Sequence, residues 1–68
     1  MQTFQLLNQD TNESVPLADN LSRYSLEYIK FVIEKQILNK DWELSGNYIA
    51  IGSDDERITY SKGIVKFE

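Results

Sequence analysis

The sequence predicts an α+β domain: a small, mostly antiparallel β-sheet, made of an N-terminal hairpin and a C-terminal meander, with one α-helix packed across one face. Three observations lead there. Two short apolar stretches near the N-terminus flank a polar, turn-forming cluster. A central segment repeats apolar residues at helical spacing. From Trp42 onward the apolar residues come in short runs separated by Gly-, Ser- and Asp-containing turns.

Phe4-Gln5-Leu6-Leu7 is the first strand candidate. The cluster Asn8 to Ser14 follows, and its side chains favour turns by bonding their own backbone. Val15-Pro16-Leu17 then returns as a second short strand. Its proline cannot donate to a ladder, so the strand is expected to lie at an edge or to be brief.

Leu21 to about Asn39 has the length and composition of a helix, with Asp19, Asn20, Ser22 and Ser25 as candidate N-caps. Asn39 is the expected left-handed C-terminal residue, and Lys35 and Lys40 are placed to complement the negative end of the helix dipole. Many residues here are β-branched, so packing rather than intrinsic propensity must hold the helix.

Trp42-Glu43-Leu44 is read as strand-like, and Tyr48-Ile49-Ala50-Ile51 as the strongest strand of the chain. After the turn at Gly52 to Glu56, Arg57-Ile58-Thr59-Tyr60 alternates with period two. Ser61-Lys62-Gly63 is a tight turn or a bulge before Ile64-Val65-Lys66-Phe67. Sheet order is not readable from these patterns.

The helix carries two apolar faces. At about 100° per residue, Leu26, Ile29, Ile33 and Ile37 cluster on one side, while Leu21, Tyr24, Tyr28, Phe31, Val32 and Leu38 spread over the other. One sheet covers one stripe, and 68 residues leave little to cover a second. The aliphatic side is expected to face the sheet. Tyr24, Tyr28, Phe31 and Lys35, at spacings of four, three and four, form the expected partner-binding face, because tyrosine pairs a large apolar body with a polar tip. The competing reading folds Tyr24 and Phe31 into the core beneath the hairpin or the last strand.

The chain of 68 residues has a formal charge of −4 and contains neither cysteine nor histidine. At about 100–200 residues per domain, residues 1–68 make one domain. Disulfides, thiolate nucleophiles and cysteine-based zinc sites are excluded, and the usual general base near neutral pH is missing. No Gly-rich phosphate loop and no catalytic triad is present, so an enzyme is not expected, nor a cofactor, a metal or a small-molecule substrate. No apolar run approaches the 18 residues of a membrane span, and the N-terminus lacks a basic and then apolar leader, so the expected location is cytoplasmic.

Acid is unevenly placed. Asp41, Glu43, Asp54, Asp55 and Glu56 fall in one stretch without a base, forming an expected acidic patch that repels a phosphate backbone and attracts a basic partner. Arg23, Lys30, Lys35 and Lys40 lie on the helix segment, but Lys30 and Lys35 point roughly 140° apart, so nucleic-acid binding is not expected. Asp10-x-Asn12-x-Ser14 opens like a calcium loop but has Val15 and Leu21 where a glycine and an acid belong. The leading functional expectation is a small acidic protein-binding module, an inhibitor or adaptor of the kind phages and mobile elements encode. The alternatives are a homodimeric structural protein that pairs its aromatic helix faces, and an acidic mimic of nucleic acid.

Overall fold

A computed structural model describes residues 2–17 and 20–68. Within them five strands, β1 (Phe4–Asn8), β2 (Ser14–Leu17), β3 (Asn47–Gly52), β4 (Arg57–Ser61) and β5 (Ile64–Phe67), form one sheet in the order β2-β1-β3-β4-β5. Every neighbouring pair is antiparallel. The helix α1 (Leu26–Asn39) lies across one face, in the link from β2 to β3. The α+β class, the N-terminal hairpin and the C-terminal meander are as the sequence predicts. β2 lies at an edge, where its proline requires it.

Period-two alternation decides which side chains meet the helix. Phe4 and Leu6 of β1, Val15 and Leu17 of β2, Tyr48 and Ala50 of β3, and Ile58 and Tyr60 of β4 are all buried. They close over Leu21, Ile29, Ile33 and Ile37, each without exposed surface. Each such aliphatic side chain contributes about 1.5–3 kcal/mol of transfer free energy. Ala50 stands in register between Leu6 and Ile58, so the middle of the sheet is filled by its neighbours. Gly52 is required by close approach: a β-carbon there would collide with the Gln2 side chain and lie 3.0 Å from the Phe4 ring.

The turns follow local chemistry. Asn8 is 5% exposed, and its side-chain oxygen accepts from the amides of Asp10 (2.9 Å) and Thr11 (3.3 Å), so it organises the β1–β2 turn from inside the fold. Lys62 (φ 50°) and Gly63 (φ 81°) both take left-handed backbone between the paired Ser61 and Ile64. That makes a two-residue hairpin turn of the type whose twist matches the strands, and it settles the choice between turn and bulge.

Four expectations about the helix are corrected. The segment from Leu21 is not one helix. Leu21–Arg23 is a 3-10 turn, Tyr24 is extended (φ −121°, ψ 164°), and the α-helix begins after Ser25. Ser25 is the N-cap, its hydroxyl accepting from the Tyr28 amide at 3.4 Å, while Asp19 lies outside the described residues. The extended residue breaks the helical frame, so Leu21 turns into the core and Leu26, at the first helical position, is left 41% exposed.

Lys40 is the C-cap and Lys35 lies outside the last turn, so only Lys40 stands at the negative end. The left-handed residue is Asp41 (φ 61°), not Asn39. The Asp41 amide donates to the Leu38 carbonyl (3.1 Å) and the Trp42 amide to the Ile37 carbonyl (2.9 Å), the paired bonds of a Schellman cap. Trp42-Glu43-Leu44 is therefore not a strand. Trp42 is the residue that follows the cap, and it packs against the core.

Candidate functional site

The outward face of α1 is built by exclusion. Ile29, Ile33 and Ile37 claim the sheet, so residues on the opposite arc point to solvent. Tyr24, Tyr28 and Phe31 are 42%, 41% and 58% exposed, which overturns the core reading of Tyr24 and Phe31. They form a continuous aromatic chain, with ring centroids 4.5 Å apart for Tyr24 and Tyr28 and 6.2 Å for Tyr28 and Phe31. Leu38 extends the apolar strip toward the C-terminal end. Among the described residues neither tyrosine hydroxyl on this face has a hydrogen-bond partner, so both tips remain available.

Two depressions flank Phe31 and Lys35, which form the ridge between them. One, of about 230 Å³, lies between the helix and the β2 edge and is lined by Leu17, Tyr28, Val32, Gln36 and Asn39 besides the ridge. The other, of about 420 Å³, is bounded by Glu34 and Leu38. The four residues the sequence singled out, Tyr24, Tyr28, Phe31 and Lys35, thus share one surface. Leu38 and the β2 residue Leu17 belong with them. The spacing of Leu38 signalled its membership, whereas that of Leu17 depends on where the helix crosses the sheet.

The acidic residues do not form one patch. Tyr48 pairs with Asn8 at one end of β3 and Gly52 pairs with Phe4 at the other. Asp41 and Glu43 precede the first end, while Asp54, Asp55 and Glu56 sit in the turn beyond the second, separated by a strand of about 17 Å. Sheet register instead brings Asp10 to Asp41 and Glu43. Together with Trp42 and Tyr48 they line a cleft of about 270 Å³. Trp42 stacks on Tyr48 with ring centroids 5.7 Å apart and planes 14° from parallel, and the Tyr48 hydroxyl donates to the Glu43 carbonyl. Burial raises the Tyr48 hydroxyl above its ordinary value, with the charges of Asp10 and Glu43 adding in the same direction.

Among the described residues no three acidic side chains are arranged to hold a metal ion, and no helix is long and apolar enough to cross a membrane. Arg57 and Asp55 form an exposed ion pair at 3.4 Å. Compared with protein-family models, with curated proteins and with solved structures, the chain matches none.

Proposed function

We propose that this chain is a small, acidic, non-enzymatic protein-binding module, acting in the cytoplasm as an inhibitor or adaptor of a protein partner. The observation that carries this reading is the exposed aromatic chain in which Tyr24, just before α1, continues the Tyr28 and Phe31 rings of its outward face. Aromatic side chains on a secondary-structure element bring large contact area at a small loss of conformational freedom, and they dominate the binding energy of many interfaces. Lys35 adds one charge at the rim, suited to fixing orientation. The non-enzymatic part of the reading rests on composition, since the chain has no histidine and no cysteine. Phosphate mimicry draws no support from carboxylates divided between two ends of the sheet.

The test is affinity capture from lysate of the source cell with wild type and with the double variant Tyr28→Glu/Phe31→Glu, both checked by circular dichroism. A partner retained by wild type and lost by the folded variant is the expected result. The same partner retained by both sinks the proposal for this face. A sedimentation profile in which wild type is a dimer and the variant a monomer replaces the hetero-partner with a second copy.

A further inference from the structure

The two edges of the sheet are not equivalent. In an antiparallel ladder, residues alternate between bonding one neighbour and turning their N–H and C=O the other way. The Glu68 amide donates to the Arg57 carbonyl at 2.9 Å, which sets the phase of the β4–β5 ladder. The pairs Thr59–Lys66 and Ser61–Ile64 are then hydrogen-bonded, while Ile58–Phe67 and Tyr60–Val65 are not. The backbone groups of Val65 and Phe67 therefore point away from the sheet, two residues apart, on an edge that pairs with no other strand among the described residues. At the opposite edge the Asn8 amide bonds the Glu13 carbonyl, so the outward residues of β2 are Ser14 and Pro16. Pro16 has no N–H to offer. One edge is blunted by proline at an outward position and the other is not.

The open edge is also where base gathers in an acidic chain. Lys66 projects on the face away from the helix, in register with Thr59. On the helix side, the Lys30 ammonium lies 4.0 Å from where a side chain on Gly63 would begin, beside Lys62 in the turn. Ile64 and Phe67, 60% and 46% exposed, supply apolar surface on opposite faces of the same strand. A second copy of this chain is a poor occupant. The antiparallel register that satisfies Val65 and Phe67 of both copies places Lys66 directly opposite its own counterpart, and like charges at that position repel.

We infer that β5 is a strand-addition edge, and that its occupant is an extended acidic segment of another protein. That segment pairs through the outward backbone groups of Val65 and Phe67, with carboxylates on alternate residues set against Lys66 on the face away from the helix and apolar side chains against Phe67 on the helix side. Main-chain bonds supply the affinity, and side-chain charge selects the sequence. This surface is distinct from the aromatic helix face.

The experiment is an amide-resolved NMR titration of the full chain with two synthetic peptides, one alternating valine with glutamate and one alternating valine with lysine. Expected are shifts centred on Val65 and Phe67 with the glutamate peptide, and binding at least about tenfold weaker with the lysine peptide, equivalent to about 1.4 kcal/mol. Val65→Pro removes an outward N–H that the β4–β5 ladder does not use, and it is expected to abolish the response. Lys66→Glu leaves the backbone intact and is expected to exchange the preference between the peptides. Three results overturn the inference: no shifts at β5 with the glutamate peptide, equal response to both peptides, or concentration-dependent shifts at Val65 and Phe67 in the absence of peptide, which would assign the edge to a second copy.

Discussion

The Tyr60 hydroxyl donates to the Glu34 carboxylate at 2.8 Å, tying the inner face of β4 to the flank of the helix. Burial, then the hydrogen bond and negative charge of Glu34, push this hydroxyl up to about 12. The proton is held more tightly in the folded chain than in the unfolded one, where the value is near 10. Its stabilising contribution is therefore complete below pH 10 and is lost as pH rises through 12. The shift at Tyr48 has the same direction and reinforces the loss. Tyr60→Phe should be less stable than wild type at neutral pH by about 1 kcal/mol, because Glu34 loses a donor. It should also lose less stability than wild type across that alkaline window. Urea midpoints measured from pH 7 to 12 check both statements, and parallel curves for the two proteins would refute the second.

Asp41 occupies the left-handed position of the helix cap, where glycine is the unstrained choice, and it brings a negative charge to the negative end of α1. Asp41→Gly relieves both costs and is expected to stabilise the fold by about 1 kcal/mol. A lower thermal midpoint for the variant would show that the Asp41 side chain contributes something the cap geometry does not reveal.

The division between Leu26 and Ile33 is testable directly. Ile33 is fully buried and Leu26 is 41% exposed. Ile33→Ala should cost about 2–5 kcal/mol, and Leu26→Ala less than about 1 kcal/mol. Equal costs in chemical denaturation would mean that the first helical turn is packed.

The Lys62-Gly63 turn needs left-handed backbone at both positions. Lys62→Asn supplies the residue that tolerates it best and should stabilise by several tenths of a kcal/mol, while Gly63→Ala should destabilise by about 1 kcal/mol. Matched thermal melts of the two variants test the pair, and opposite signs are expected.

Much of the architecture is local and was legible for that reason. The turn chemistry of Asn8 to Ser14 and the alternation from Arg57 to Tyr60 announce their elements within a few residues, and Pro16 announces a strand that is brief or at an edge. The outward aromatic face was legible because Ile29, Ile33 and Ile37 leave only one arc for the sheet. What escaped is non-local or turns on one backbone angle. Tyr24 in extended conformation resets the helical phase, so a wheel drawn from Leu21 assigns both Leu21 and Leu26 to the wrong side. Asp41 gives no composition signal of a left-handed cap, since Asn39 nearby is the better candidate by residue type. The meeting of Asp10 with Asp41 and Glu43 depends on the pairing of Asn8 with Tyr48, which joins distant parts of the chain.

The position of β1 between β2 and β3 has a kinetic consequence. The β1–β2 hairpin and the β3–β4–β5 meander each close through short connections and can zip early, whereas the seam joining Leu7 to Ile49 closes only after the whole helical segment has been spanned. That seam runs down the interior of the sheet, so the ladder that contact order predicts to form last lies among the most enclosed. Until it closes, two partial sheets carry raw edges of their own, at Leu7 and at Ile49, which are silenced in the finished molecule. Among the described residues the folded sheet keeps one edge without a proline at an outward position, and its unfinished precursor has more.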